Sequence, residues 1–566
     1  MAMQPPVHGN RHMVSSGHLL ATQAGYEILE AGGNAIDAGV AAGIALGVVH
    51  SDMVQFSGVA PIMIYLSERD EVITISGLGG WPKAASIERF IDEFDGHVPE
   101  GVLRTVVPAA PDAWITALER YGTMTFGEVA EAAIRFACDG FPMHHVMRDY
   151  IIAHANDYRR WPSNAAIYLP NDQIPDEGER FVQRDLGASL QFLADEERAR
   201  GGSRAEGLGA AHDAFYRGDL AVAMVEYHQA NGGWLARDDL SAFRSEVGSP
   251  VQVTIGDVTL FTCDAWCQGP VLAQMATLVE PDRLAAMSHN EADYVHYVLE
   301  AMKLCFADRE CLYGDPNVVN VPLEHLLSRD YARRRRADIQ MSRAAPDLPA
   351  PGIWGEVAHP SPARAVGIPP PAADTSYACA VDAAGNLFSA TPSDVSWESP
   401  IIPGTGFAPS ARGSQSWAVL GHPSAVAPGK RPRLTPNPAI AMRRGHWRMP
   451  FGTPGGDTQT QAMLQVLLNT TVFEMALQDA IEAPRFISHS FPNSFEPHES
   501  YPGRVSCEGR IDPAVVSELA RRGHEVTTLA DMTYATAGVC GIRHHFDRGL
   551  LEGGADPRRM SRALGR

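Results

Sequence analysis

Positive charge is scarce in this sequence. Its 46 lysine and arginine residues stand against 67 aspartate and glutamate residues, which leaves a formal net charge of −21. A chain this acidic repels phosphate backbones and anionic lipid head groups. The most apolar run, residues 35–49, is interrupted by Asp37 and falls short of the roughly 20 residues that cross a bilayer. We therefore expect no nucleic-acid partner and no membrane partner, and we interpret this run as a buried helix.

A secretion signal and a disulfide framework are also missing. Residues 1–12 contain Pro5 and Pro6 and lack the basic and then apolar layout of a signal peptide. Eight cysteines in 566 residues, without such a signal, are typical of reduced thiols. We expect a cytoplasmic protein. Its 45% hydrophobic and 20% charged residues are ordinary globular usage, enough for one large or two intertwined α/β units.

The motifs of several common enzyme classes are absent as well. Despite 21 histidines, the chain has no His-Glu-x-x-His and no paired Cys-x-x-Cys, so a metal site has no support. Neither Gly-x-Gly-x-x-Gly nor a P-loop is present, and Gly-x-Ser-x-Gly is missing too. Nucleotide-dependent chemistry and an α/β-hydrolase are therefore disfavoured. We expect no metal and no organic cofactor.

The apolar periodicity that is present predicts α/β layers. A spacing near 3.6 recurs in residues 110–121, 126–137 and 292–307, which predicts helices there. Asn34 precedes a run of small residues and is suited to cap a helix. The alternating run 251–255 is typical of a strand. Helices thus dominate the first two-thirds of the chain.

A proline-rich segment divides the chain late in the sequence. Residues 341–374 contain eight prolines and little periodicity, which predicts a linker or surface loop. Directly afterwards, residues 377–381 and 387–390 flank a turn with Gly385, a β-hairpin pattern. Thr375 therefore stands where the linker enters a sheet. Alone, a threonine in this position is most often structural.

Several short segments occur in a fixed order along the chain, and together they are more informative than any one of them alone. They are Gly-Gly-Asn-Ala-Ile-Asp-Ala (32–38), Arg-Tyr-Gly-Thr-Met (120–124), Asp-Gly-Phe (139–141), Ala-Asp-Arg (307–309), Gly-Asp-Pro (314–316), Val-Asp (381–382), Gly-Asn (385–386), Pro-Gly-Lys-Arg-Pro (428–432), Pro-Gly-Gly (454–456) and Glu-Ala-Pro-Arg-Phe (482–486). With these segments the sequence resembles the gamma-glutamyltranspeptidase family over nearly its whole length. The resemblance implies the four-layer αββα fold of N-terminal-nucleophile hydrolases.

The resemblance also implies that the chain cuts itself between Asp374 and Thr375. The products would be residues 1–374 and 375–566, interlocked in one αββα unit as a heterodimer, alone or as a dimer of such heterodimers. A threonine hydroxyl is a weak nucleophile until a base takes its proton, and the α-amine freed on the same residue is a tethered base. Because a free α-amine has a reference pKa of about 8, burial or nearby cations must lower it.

Three further catalytic roles follow from the resemblance. It assigns the oxyanion to backbone N–H groups of Gly455 and Gly456, and it assigns a second hydroxyl, in contact with Thr375, to Ser393. Glycine suits an oxyanion turn because no side chain blocks its amide, and losing one such donor costs about 3 kcal/mol. The alternatives from the residues alone are an ordinary Pro-Gly-Gly turn and a polar loop serine.

The family's glutamyl pocket is not reproduced. No arginine lies between Arg69 and Arg89, where the resemblance requires one for the substrate α-carboxylate. Leu434-Thr435 replaces an expected Ser-Ser pair, Val395 replaces an expected Asn, and Ser414-Gln415 falls where an acid is expected. The residues that the resemblance assigns to catalysis are kept, while those that it assigns to recognition of the glutamyl group are altered.

Replacement substrate contacts are predicted at Arg412, Thr435 and Asp457. Arg412 is able to meet a carboxylate bidentately, although structural or surface roles are open alternatives for Arg412 and Asp457. The leading hypothesis is hydrolysis or acyl transfer of a small amide through an acyl-threonine intermediate. The alternatives are true γ-glutamyl transfer or glutathione hydrolysis, oxamate-like amide hydrolysis, and a non-catalytic binding protein on the same fold.

Overall fold

Two antiparallel sheets of seven strands each form the centre of the computed structural model, which describes residues 3–352, 365 and 374–566. The strands of the first sheet, in spatial order, are Val7–Gly9, Leu550–Ala555, Cys540–His545, Trp447–Gly452, Ala439–Arg443, Val258–Thr262 and Val251–Ile255. Those of the second sheet are Arg562–Gly565, Met13–Ser16, Ala378–Val381, Leu387–Ala390, Ile62–Leu66, Glu71–Ile75 and Val247–Gly248.

The two sheets pack face to face through a hydrophobic core. Cys379 and Val381 of the second sheet and Ile440 and Ile542 of the first are fully buried in one hydrophobic cluster. Alternate side chains of each strand point into this layer, as sheet packing requires.

Helices cover the outer face of each sheet. The layer on the second sheet contains Leu19–Glu30, Ala35–Val49, Ala110–Tyr121, Phe126–Asp139, His145–Ala153, Ala155–Arg159, Pro162–Tyr168, Arg184–Arg200, Arg204–Tyr216, Asp219–Ala230 and Arg237–Ser241. The layer on the first sheet contains Gly269–Leu278, Pro281–Ala285, Ala292–Leu312, Leu323–Leu326, Arg329–Arg336, Thr458–Thr471, Leu477–Glu482 and Pro513–Arg521. The αββα class predicted from the sequence is confirmed.

Smaller elements surround these four layers. They are a three-stranded sheet of Phe486–Ser488, Arg504–Glu508 and Glu525–Leu529, a two-stranded sheet of Phe141–Pro142 and Arg180–Phe181, the helix Ile87–Glu93, and the 3-10 turns Val102–Arg104, Pro170–Asp172, Arg412–Gln415 and Tyr534–Thr536.

The predicted local structure agrees with the observed elements. Helices occur at all three predicted places, and the helix Ala35–Val49 is buried throughout. Asn34 caps that helix: its side chain accepts from the Asp37 amide at 3.0 Å, while Asp37 accepts from the Asn34 amide at 2.9 Å. This reciprocal capping box fixes where the helix begins. Among the described residues, no helix has both the length and the apolarity to cross a membrane.

The predicted hairpin forms the middle of the second sheet. Ala378–Val381 pairs with Leu387–Ala390 on one side and with Met13–Ser16 on the other. The hairpin begins one residue later than the sequence pattern indicates. Of the proline-rich segment, residues 341–352 contain no helix or strand, and residues 353–364 and 366–373 lie outside the described residues. Thr375 therefore stands three residues before a central strand.

Candidate active site

Thr375 is held between two loops, three residues before the strand Ala378–Val381. Its amide donates to the carbonyl of Met53 at 3.3 Å, and the next amide, that of Ser376, donates to the carbonyl of Pro392 at 3.0 Å. The Thr375 residue is 1% exposed. In the uncut chain the predicted nucleophile is therefore closed off from solvent.

Ser393 contacts the hydroxyl of Thr375. The two Oγ atoms lie 2.5 Å apart, and Ser393 also donates to Oδ1 of Asp374 at 2.7 Å. A hydroxyl has one hydrogen to donate. Ser393 therefore has two neighbouring acceptors for its hydrogen, Asp374 and Thr375, and either hydroxyl is able to donate in the Thr375–Ser393 bond. The structure thus brings together the two hydroxyl groups that the resemblance paired.

The Gly455 turn reaches the peptide bond in front of Thr375. The amide of Gly455 donates to the carbonyl oxygen of Asp374 at 3.1 Å. Gly455 and Gly456 have φ values of 122° and 53°, a backbone region that favours glycine. The helix Thr458–Thr471 begins just after this turn, so the positive end of its dipole lies next to the turn. The Gly455 amide is aimed where negative charge would develop.

Thr375 itself has an unusual backbone conformation. Its φ is 78°, and a β-branched residue is a true outlier in that region because its side chain crowds the backbone. Such strain persists only where the surrounding contacts enforce it, and it clusters at functional sites. The strained residue is the one that follows the peptide bond predicted to be cut.

Arg412 binds the residue on the other side of that bond. Its Nη1 donates to Oδ2 of Asp374 at 2.9 Å and its Nη2 donates to Oδ1 at 2.5 Å, a bidentate ion pair. Nη2 also donates to Ser393. The Arg412 residue is 2% exposed. Burial opposes its charge, but the carboxylates of Asp374 and Asp394 outweigh this effect and raise its pKa.

A second carboxylate shares the same guanidinium. Oδ1 of Asp394 lies 3.4 Å from Nε of Arg412 and accepts from the Ala411 amide, and Oδ2 accepts from Ser410 at 2.7 Å. Burial raises the pKa of Asp394 to about 7, with a further upward contribution from Asp374 and opposition from Arg412. One cation therefore serves two acids in the uncut chain.

Thr435 lies behind the Gly455 turn. Its hydroxyl accepts from Gln415 at 2.8 Å. Gln268 donates to the carbonyl of Thr435 at 3.2 Å and to that of Gly456 at 3.0 Å. Thr435 is thereby joined to the turn through Gln268, and it is fully buried. Its predicted contact with substrate stays a prediction.

Asp457 is committed to contacts within the protein. It accepts from Arg309 at 2.5 Å, from the hydroxyl of Ser494 at 2.7 Å and from the amide of Ser494 at 2.7 Å. These bonds anchor the residue next to the Gly455 turn. The substrate role predicted for Asp457 stays a prediction, and its contacts favour positioning of the turn.

Sequence reasoning assigned no role to Gln268, Arg309 or Asp394. The Ala-Asp-Arg segment at 307–309 is a sequence signal that contains Arg309. Asp394 is adjacent to Ser393, yet its importance depends on Arg412, eighteen positions away in the chain. Gln268 has no local motif.

Possible metal ligands occur together away from Thr375. Among the described residues, His296, Glu300 and His524 bring one ligand atom each within 4.8 Å of the others. Lys303 donates to Glu300 at 2.7 Å, and the two ring nitrogens of His296 contact His524 and the carbonyl of Gln340, both at 2.9 Å. The Lys303 ammonium pairs with the carboxylate, and Nδ1 of His524 is buried without a hydrogen-bond partner in the described part of the chain.

Comparison with known proteins shows which family the chain resembles. The family model described as Gamma-glutamyltranspeptidase matches residues 21–565. A "Glutathione hydrolase-like YwrD proenzyme" of Bacillus subtilis is 30% identical over all of both chains. An "Acylase ACY 1 proenzyme" of Pseudomonas sp. (strain SE83) is 32% identical over 92% of this chain and 88% of its own. The crystal structure of cephalosporin acylase from Bacillus halodurans superposes with a TM-score of 0.85 at 25% identity, covering 100% of this chain and 98% of that one.

Proposed function

The chain belongs to the gamma-glutamyltranspeptidase family of N-terminal-nucleophile amide hydrolases, and on that premise we propose that it cuts itself between Asp374 and Thr375. Thr375 then becomes the nucleophile for small amide substrates. The relatives named above are both proenzymes by name, which supports self-processing here. The mature form would be an interlocked heterodimer of residues 1–374 and 375–566.

Two contacts at the same peptide bond support this proposal. The hydroxyl of Thr375 contacts Ser393 at 2.5 Å, and the carbonyl of the preceding residue, Asp374, accepts from the amide of Gly455 at 3.1 Å. A hydroxyl nucleophile and an oxyanion donor therefore meet at one peptide bond. This is the arrangement that acyl transfer requires.

Self-cleavage proceeds by an acyl shift. Oγ of Thr375 attacks the carbonyl carbon of Asp374, the oxyanion is stabilised by Gly455, and the C–N bond breaks while the Thr375 nitrogen takes up the proton that the hydroxyl lost. The product is an ester between Asp374 and Oγ of Thr375. Water then adds to the ester carbonyl: one of its protons returns to Oγ of Thr375, and the freed α-amine takes the other as Asp374 leaves as a carboxylate. Breaking the bond also frees the strained φ of Thr375.

Substrate turnover repeats the same steps on a foreign amide. The free α-amine of Thr375 takes the hydroxyl proton, Oγ attacks the amide carbonyl, and the amine product leaves with that proton. An acyl-threonine ester remains, which water or an acceptor amine resolves. Ser393 and the Gly455 turn serve both reactions.

The substrate is proposed to be a small amide other than a γ-glutamyl compound. The segment between Arg69 and Arg89 has no arginine for a glutamyl α-carboxylate, and Thr435 and Gln415, which stand where glutamyl-reading residues are expected, bond to each other at 2.8 Å. Groups satisfied by one another are poor ligands for a glutamyl head group. True γ-glutamyl transfer is the competing activity.

Mass spectrometry of the purified protein tests the proposal. We expect two chains of about 40 and 21 kDa, with the smaller beginning Thr-Ser-Tyr, and an electrophilic amide analogue should label the Thr375 peptide. Thr375→Ala should stay whole and unlabelled. A wild-type chain that remains at 61.1 kDa and behaves as the alanine variant does would contradict it.

A further inference from the structure

Under the proposed function, Asp374 supplies the carbonyl group of the first amide bond that Thr375 attacks. Two parts of this residue are held by separate groups: its carbonyl oxygen by the Gly455 amide at 3.1 Å, and its carboxylate by Nη1 and Nη2 of Arg412. Both groups belong to the small chain and stay in place after cleavage. Asp374, at the end of the large chain, does not remain covalently attached there.

We propose that Asp374 occupies the acyl pocket in place of substrate, and that the mature pocket takes acyl groups bearing a carboxylate two carbons beyond the reacting carbonyl. Succinyl amides are the simplest members of this class. This inference rests on the proposed function and specifies its substrate.

The esters formed in self-cleavage and in turnover support the inference that Asp374 and the substrate acyl group occupy the same pocket. Self-cleavage forms an ester between the Asp374 carbonyl and Oγ of Thr375, and turnover forms an ester between the substrate carbonyl and the same oxygen. Because the oxyanion donor is the same amide of Gly455, the carbonyl occupies one place in both reactions. What lies beyond that carbonyl in the uncut chain is the Asp374 side chain, and its carboxylate lies against Arg412.

When Asp374 leaves, one edge of the buried Arg412 guanidinium no longer has a carboxylate partner. Nε of Arg412 still faces Asp394 at 3.4 Å, and its guanidinium carbon lies 5.2 Å from the ring centroid of Phe495. These contacts fix the plane of the guanidinium. The Nη1 and Nη2 groups lose the Asp374 carboxylate, and Nη2 keeps its bond to Ser393. A planar fork of this kind binds a carboxylate bidentately, whereas burying it beside a neutral acyl group leaves charged donors unpaired.

The pocket also sets the length of the acyl group. In Asp374, Cα and Cβ separate the carbonyl carbon from the carboxylate carbon, and a succinyl group has the same spacing. A glutaryl group is one methylene longer. A γ-glutamyl group has its carboxylate at the glutaryl distance and an ammonium on the same carbon, which would approach the Arg412 guanidinium with like charge.

Ammonia release from four primary amides tests the inference on the mature wild-type enzyme. The compounds are succinamate, butyramide as its neutral counterpart, glutaramate, and glutamine as the γ-glutamyl amide. All share one leaving group. We expect kcat/KM for succinamate to exceed that for butyramide by about 100-fold, since a site built for a charged group rejects the analogue that lacks it. Glutaramate should fall between them, and glutamine should be turned over less than glutaramate.

Arg412 variants and product inhibition provide the second measurement. Arg412→Gln should reduce the ratio of succinamate to butyramide kcat/KM, counted per cleaved chain, by at least about 10-fold. If that variant fails to cleave itself, inhibition of the wild-type enzyme decides: succinate should compete with substrate, and butyrate should not. Equal inhibition by the two acids would overturn the inference.

The two proposals fail in different ways. A chain that cleaves itself and labels at Thr375, yet releases ammonia equally from succinamate and butyramide, contradicts the acyl-pocket inference and leaves the amide hydrolase standing. A chain that stays whole contradicts the proposed function itself.

Discussion

The amide of Gly455 donates a hydrogen bond of 3.1 Å to the carbonyl oxygen of Asp374, the residue directly before Thr375. The two residues lie at the turn that begins the helix Thr458–Thr471 and at the end of the proline-rich segment. This bond links the turn proposed to stabilise the oxyanion to the peptide bond whose cleavage would create the catalyst. Processing and turnover are therefore expected to respond together to changes in the turn.

Gly455→Ala should slow self-cleavage by about 100-fold, the usual cost of losing an oxyanion donor. An added Cβ would lie 2.4 Å from Oγ1 of Thr458 at a φ of 122°, so the turn must move and its amide with it. The fraction of cut chain over time, read from gels, is the measurement.

Gly549→Ala is the matched control for that substitution. Gly549 also has a positive φ, 61°, but an added Cβ there meets no atom within 4 Å. It lies in the turn between the strands Cys540–His545 and Leu550–Ala555. This variant should cleave at the wild-type rate. Equal slowing in both variants would show that general destabilisation, and not the oxyanion donor, controls processing.

Backbone strain at Thr375 gives a prediction for two uncut variants. Alanine retains the Cβ that is unfavourable at a φ of 78°, whereas glycine does not. Thr375→Gly should therefore be more stable than Thr375→Ala by about 1 kcal/mol. Denaturant unfolding of the two whole chains measures the difference.

The reverse order is expected inside a helix. At Thr470, within Thr458–Thr471, alanine should be more stable than glycine by about 1 kcal/mol. Both substitutions are made in the uncut Thr375→Ala chain. If alanine is favoured at both positions, the positive φ of Thr375 stores no strain of consequence.

Local sequence patterns predict most of this fold, because helices and hairpins depend on neighbouring residues. The helix 110–121, the cap at Asn34 and the hairpin around Gly385 are all read from periodicity and turn chemistry. The site is different. Thr375, Ser393 and Gly455 were found through resemblance to a family, and their spacing alone would not have distinguished them from structural residues.

The electrostatics of the site could not be predicted in the same way. Arg412 and Asp374 are 38 positions apart, and Arg309 and Asp457 are 148 apart. Which acid meets which arginine depends on the packing of distant loops. The sequence predicts a carboxylate partner for Arg412, but it does not predict that Asp374 of the uncut chain supplies that carboxylate.

The raised pKa of Asp394 predicts a dependence of stability on pH. Burial shifts this pKa in the folded chain to about 7, against an ordinary value of about 3.9. Between these values the folded state holds a proton that the unfolded state releases. The contribution to the free energy of unfolding is full below pH of about 4, falls as the pH rises through about 7, and is constant above.

Denaturant titrations at several pH values test this contribution. In the uncut Thr375→Ala chain, adding Asp394→Asn should flatten the decline in the free energy of unfolding between pH of about 4 and 7 by a few kcal/mol. The amide keeps an acceptor for Ser410 or Ala411 but does not titrate. An unchanged slope would mean that Asp394 is ionised throughout this range.

Substitutions at Asp374 should change processing and leave turnover alone. Asp374→Asn keeps the shape of the side chain and an acceptor for Ser393, but it removes the charge that pairs with Arg412. Because the neutral amide holds the carbonyl less firmly against Gly455, self-cleavage should slow by about 10-fold or more. Gels over time measure that rate.

Once cut, the Asp374→Asn enzyme has the same small chain as the wild type, so kcat/KM for any amide substrate should be equal per mole of cut chain. Arg412→Lys is the contrast, because it alters a residue that stays in the mature pocket: both processing and kcat/KM should fall. The reason is that Asp374 reacts with Thr375 only during self-cleavage, whereas Arg412 is proposed to bind the acyl group of each substrate. A changed kcat/KM in the fully cut Asp374→Asn enzyme would show that the end of the large chain stays in the pocket during turnover.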